Sequence, residues 1–242
     1  MKILRDLVPL TTALLLCSLC AAEDNGVKII FRSRAYQLVG ASHEEWWEMD
    51  PITRNKTRLS DGDVALRRSM CSERMPPAAR FQKAFSVLSP DGRRVASIAV
   101  HETFDRSPLR ITTVNDARPI ATVQVPTDRR HWTYATSLAW SPDGSLVLAG
   151  AEAGSSSSHF EDYWLLDWTH QIWRYVGGGN GARWSPDGSY ISWTTARDLA
   201  PLGRIQVWVS HLVLLDVSNS SQQPLTSGIS NESDFFWCSS AR

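Results

Sequence analysis

Three short segments of this 242-residue chain pair a histidine with acid: His43-Glu44-Glu45, His101-Glu102 and His159-Phe160-Glu161-Asp162. A fourth cluster, Arg129-Arg130-His131-Trp132, adds cations and an indole. Imidazoles and carboxylates that converge from separate segments can hold a divalent metal, with histidine suiting zinc, manganese or iron. His43, His101 and His159 are the candidate metal ligands. The same groups can act as acid–base catalysts on a bound ligand, or can be solvated loop residues on a binding face of other chemistry. No Gly-x-Ser-x-Gly nucleophile elbow occurs anywhere in the chain. The run Gly177-Gly178-Gly179-Asn180-Gly181 leads into an apolar strand and not into a helix whose N-terminus could hold phosphate. It is expected to be a flexible turn, and no cofactor is expected.

The elements that must position these residues announce themselves as a repeat. Ser89-Pro90-Asp91-Gly92 recurs as Ser141-Pro142-Asp143-Gly144 and as Ser185-Pro186-Asp187-Gly188. Proline presets φ, aspartate suits the next position, and glycine takes the left-handed conformation, so each is a tight hairpin turn. An apolar strand precedes each turn and a β-rich strand follows it. A third strand then ends in Asp116, Asp167 or Asp216, which lie 24, 23 and 28 residues beyond the turn glycine. A fourth short β-run closes each unit. Four strands, a to d, in about 45 residues is the period of a propeller blade.

The two chain ends complete one more unit. Val27 to Phe31, Trp46 to Asp50 and Lys56 to Leu59 read as strands b, c and d, and Asp50 lies 24 residues past Gly26. The missing strand a is at the other end, in Asp234-Phe235-Phe236-Trp237-Cys238-Ser239. The expected fold is therefore all-β. It is a β-propeller of four four-stranded antiparallel blades, closed into a ring by pairing of the N- and C-terminal strands, with no edge left open. The blades span residues 23–62 with 231–242, 83–128, 133–178 and 180–228, and residues 63–82 form an insertion. In such a meander the b–c loops and the links between blades share one end. All the histidine–acid clusters fall there, so that end is the expected ligand face.

The Ser-Pro-Asp-Gly turns, Trp140 and Trp184, the strand-c aspartates and the strand-d ending Leu225-Thr226 resemble the WD40-like propeller repeats of the TolB type. Leu59-Ser60-Asp61-Gly62 nearly copies that ending. Such repeats occur in exported bacterial proteins and in propeller domains of prolyl-oligopeptidase-like enzymes. The resemblance covers nearly all of the chain after residue 22, and it implies a fold more than an activity.

Eleven tryptophans need an explanation. Trp140, Trp184 and Trp237 share one register of strand a and are expected to fill the blade-to-blade core. Trp46, Trp132, Trp168 and Trp208 sit less regularly and are candidates for a sugar-stacking platform. Lys+Arg and Asp+Glu balance at 25 each, which argues against nucleic acid or an anionic membrane as the partner.

Lys2, Arg5 and the apolar stretch from Leu7 to Leu19, followed by Cys20-Ala21-Ala22, read as a signal peptide over 1–22. Cleavage there leaves a net charge of about −1 and no transmembrane segment in the mature chain. Cys17 and Cys20 follow leucines and not the small residue of a lipobox, so a periplasmic or secreted location is expected over lipoprotein anchoring. Cys71 and Cys238 are expected to stay unpaired, because Cys238 lies at the turn end of its strand and the insertion bearing Cys71 should start at the opposite end. These readings point to an exported binding scaffold for a protein or glycan partner in the cell envelope. The alternative is a small metal-dependent propeller lyase or hydrolase acting on polysaccharide.

Overall fold

The computed structural model describes residues 26–37, 42–74, 86–98, 108–124, 132–153, 161–195 and 198–239. The chain is mostly β, with one helix among the described residues. Its sheets follow the a-to-d meander that the repeat announces. The second unit is β4 (Ser86–Leu88), β5 (Arg94–Ser97), β6 (Leu109–Thr113) and β7 (Asp116–Val123), paired in that order. The third contains β8 (Trp132–Trp140), β9 (Leu146–Ala153), β10 (Glu161–Asp167) and the first half of β11 (Ile172–Trp184). The second half of β11 opens the fourth unit, which continues through β12 (Tyr190–Thr194), β15 (Leu212–Asp216) and β16 (Gln222–Pro224). Between β12 and β15 stands a two-stranded hairpin that the sequence did not announce, β13 (Asp198–Leu202) and β14 (Ile205–Val209).

The repeat residues hold the turns in a common network. In the first copy the Gly92 N–H donates to the Ser89 carbonyl at 2.9 Å, and Gly92 takes φ +68°. The Ser89 hydroxyl donates to Asp91 Oδ1 at 2.5 Å and accepts from the Arg94 N–H at 2.9 Å. Both other copies repeat this pattern through Ser141–Asp143 and Ser185–Asp187. The strand-c aspartates cap the next reversal, between strands c and d: Asp50, Asp116, Asp167 and Asp216 each accept the N–H two residues ahead.

The glycine run is not a loose turn. Gly177 to Gly181 lie inside the continuous strand β11, which passes from the third sheet to the fourth. Glycine is needed there because Trp193 and the Thr194 backbone press against the strand. A Cβ on Gly179 would come within 2.6 Å of Trp193 Cδ1 and closer still to the Thr194 carbonyl oxygen.

The two chain ends do pair. β1 (Val27–Ala35) runs antiparallel to β17 (Ser230–Ser239), with Val27 opposite Ser239 and Ala35 opposite Ser230. β2 (His43–Met49) and β3 (Lys56–Leu59) complete that sheet. The pairing completes the first unit but does not close a ring. Hydrophobic clusters join the second unit to the third, the third to the fourth and the fourth to the first. Among the described residues none joins the first to the second. One strand-a tryptophan fills each of the three seams: Trp140, Trp184 and Trp237 are all at most 1% exposed. The equivalent position in the second unit is Leu88, and it is 48% exposed.

The face of the first unit that would meet the second is covered by α1 (Asp61–Arg74). The segment expected as a plain insertion thus begins with a helix. Ser60 caps it, accepting the Asp63 N–H at 3.2 Å, while Asp63 Oδ2 accepts the Ser60 N–H at 3.1 Å. Val64 and Cys71, seven residues apart on one helix face, pack on Ile30, Phe236 and Cys238. This overturns the expectation of two free cysteines. Cys71 and Cys238 are disulfide-bonded, with Cα atoms 5.0 Å apart. The insertion folds down the side of the sheet and so reaches the turn end of β17.

Candidate functional site

On β1 the residues Ile29, Phe31, Ser33 and Ala35 alternate onto the face directed at the fourth unit. On β17 that face carries Trp237 and Phe235, and the phase then changes. Asp234 takes a left-handed φ of +50°, and the pairing shifts register between Ile30 and Arg32. Such a bulge moves following side chains to the other face. Glu232 and Ser230 consequently share the face of Trp237 and not that of Phe236.

That phase shift places a carboxyl group in a cavity of about 450 Å³ between the first unit and segment 225–229 that follows the fourth. Glu232 is only 4% exposed. Its Oε1 accepts from the hydroxyls of Ser230 at 2.8 Å and Ser33 at 3.2 Å. Its Oε2 is equally buried and has no partner in hydrogen-bonding geometry. The backbone of Glu232 is pinned from the fourth unit. Its N–H donates to the Ser210 carbonyl at 2.9 Å and its carbonyl accepts the Ser210 hydroxyl at 2.8 Å. Burial pushes the Glu232 carboxyl above the usual glutamate value, against the opposing influence of the Ser230, Ser33 and Thr226 hydroxyls and of Lys56.

The rest of the wall is amphipathic. Trp47 is half-buried, and the Lys56 ammonium stands 4.7 Å from its ring centroid. Arg54 donates to Gln223 Oε1 at 2.6 Å, and Glu45 pairs with Arg58 at 3.1 Å. His43 lies exposed at the rim where β2 begins, at the b–c end of the unit. Beside the rim, Tyr36 donates its N–H to the Ile229 carbonyl at 3.1 Å and packs on the β13–β14 hairpin through Leu202, Val207 and Val209. A second, more open cavity of about 460 Å³ lies between α1 and Trp46, whose ring is flanked by Arg32 and Arg68.

Of the residues singled out in the sequence, His43 lines the Glu232 cavity. Its neighbour Glu44 projects to the opposite face of β2, where it pairs with Arg34 and, at 3.4 Å, with Arg32. Glu161 belongs to another seam: it accepts the Tyr163 hydroxyl at 2.8 Å, and that hydroxyl accepts the Ala182 N–H at 3.2 Å. Glu161 therefore ties the third unit to the fourth and does not meet His43. Trp132 opens β8 opposite Ala153. His101, Glu102, Arg130, His131 and His159 lie outside the described residues, as does the 1–22 segment. Among the described residues no group of three histidine, cysteine, aspartate or glutamate side chains has metal-binding spacing.

The tryptophan platform candidates divide. Trp168 packs edge-on against Trp140, with centroids 6.4 Å apart, whereas Trp208 on β14 is 52% exposed. Sequence reasoning missed Glu232 and Trp47. Glu232 sits in the polar stretch Ser230-Asn231-Glu232-Ser233-Asp234 that precedes the apolar run of β17, and nothing in the sequence marked it.

No family model matches the chain, and neither does any curated sequence. Solved structures resemble it distantly. Hydrazine synthase from Kuenenia stuttgartiensis matches 74% of this chain and 47% of its own at 12% identity, with a TM-score of 0.40. The β-propeller domain of the Trilobed protease from Pyrococcus furiosus matches 83% and 54% at 10% identity and 0.38. TolB from Acinetobacter baumannii matches 84% and 42% at 15% identity and 0.36. The chain thus spans about half the length of these structures.

Proposed function

We propose that this protein is an exported, propeller-type binding scaffold. Its four blades are residues 23–62 with 231–242, 83–128, 133–178 and 180–228, and its ligand face is the b–c end of the first blade. The observation that carries the reading is the Glu232 cavity. A buried carboxyl with a bare oxygen, walled by an indole and by side chains of both signs, is a costly arrangement for a purely structural seam. Its volume lies within the range of small-molecule sites. The Cys71–Cys238 bond supports an oxidising compartment, in keeping with a leader over 1–22. Among the described residues no helix is long and apolar enough to cross a membrane. Loops and rims on a rigid β-frame suit recognition. The test is to immobilise the full chain and expose it to glycans and to cell-envelope proteins. Saturable binding that chemically unchanged ligand reverses supports the scaffold. Turnover of the ligand, or no binding at all, overturns it.

A further inference from the structure

We infer that the Glu232 cavity takes an uncharged sugar residue of a glycan, with Glu232 and Trp47 as its specificity-determining groups. This inference rests on the scaffold reading and specifies its ligand. Charge makes the first cut. Arg54 and Lys56 line the same cavity as Glu45 and Glu232, so neither an anion nor a cation meets a wall of one opposite sign. A sugar hydroxyl both donates and accepts, so a ligand rich in hydroxyls can use both signs at once.

The buried Oε2 of Glu232 makes the second cut. Ser33 and Ser230 are spent on Oε1, and Oε2 has no donor in hydrogen-bonding geometry, the Thr226 hydroxyl acting on the carboxyl from outside that geometry. A ligand hydroxyl at that atom removes the cost of an unsatisfied buried group. Trp47 makes the third. A half-buried indole that lines the cavity with Met49 offers apolar surface to the C–H face of a pyranose, which takes the place of the Lys56 ammonium over the ring. The cavity's volume of about 450 Å³ accommodates one or two sugar rings and excludes a longer buried chain, so the remainder of a glycan lies out past the rim.

The experiment presents the full chain to an array of neutral, sialylated, sulfated and amino-substituted glycans, and then titrates the strongest neutral glycan by calorimetry. Neutral glycans are expected to be retained. Glu232→Met should weaken them about tenfold or more, and Glu232→Gln, which keeps a donor and an acceptor, should stay within about threefold. The unsubstituted protein supplies a readout that no variant's folding can obscure. The indole N–H resonance of Trp47, assigned by its loss in Trp47→Phe, should shift and saturate with added glycan. Preference for charged glycans, an unmoved Trp47 resonance, or unchanged affinity in a folded Glu232→Met protein overturns the site while leaving the scaffold standing. Retention of no glycan and no protein overturns both.

Discussion

Cys71 on α1 is bonded to Cys238 on the last strand, across 167 residues of chain, and the bond lies against the face of the first unit that would otherwise receive the second. A helix, and not a neighbouring sheet, covers that face, and the covalent link holds it there. Among the described residues no hydrophobic cluster joins the first unit to the second, and Leu88 is exposed where three sibling positions bury tryptophan.

The disulfide should dominate stability. In the chain-entropy account, a link spanning 167 residues contributes about 5 kcal/mol. Cys71→Ala with Cys238→Ala is expected to lower the urea midpoint accordingly, and α1 is expected to detach first. Peptide mapping without reductant should recover residues 71 and 238 as one linked peptide. Two free thiols at these positions would contradict the structure.

Glu232 should make stability pH-dependent in an identifiable direction. Its folded-state value is raised, so the folded protein holds a proton that the unfolded chain releases. As pH climbs from the ordinary glutamate value through the raised one, the unfolded state gains and stability falls. Glu232→Gln removes this contribution. Chemical denaturation across that pH window should show a shallower decline in the variant, and equal slopes would refute the assignment.

Asp91 works in the opposite direction. The Ser89 hydroxyl, the Arg93 N–H and the Arg94 guanidinium hold its carboxyl down at about 2. Stability from this turn is present above the ordinary aspartate value and is lost as pH falls towards about 2. Proton titration of Asp91 by NMR should read this depressed value in the parent, and Ser89→Ala should return it towards normal.

Gly179→Ala tests the strand assignment of the glycine run. A flexible turn would accept alanine without cost. A strand pressed on Trp193 and the Thr194 carbonyl should lose about 1–3 kcal/mol from overpacking, read as a lower melting temperature. Gly181→Ala faces no neighbour and would report only its left-handed φ of +66°.

Much of the architecture was legible because its causes are local. Proline, aspartate and glycine determine a turn wherever they fall in that order, so three copies of one tetrapeptide marked three hairpins, and the strand-c aspartates marked the next reversals. The apolar run Phe235-Phe236-Trp237-Cys238, with Trp237 in the register of Trp140 and Trp184, marked a strand a, and complementary half-units at the ends marked the β1–β17 pairing. What remained hidden depends on contacts distant in sequence. The glycines of β11 look like a turn until Trp193 is laid against them. The disulfide requires knowing that α1 descends along β17, a path decided by the apolar face of Ile30 and Phe236. Glu232 enters the site only because Asp234 turns left-handed and reverses the strand's phase. Its carboxyl becomes a chemical group only when the fourth unit closes over it. Sequence determines which residues bend and which alternate, because those preferences act over a few bonds. Tertiary structure decides which side chains are denied water, and in this protein that denial makes the site.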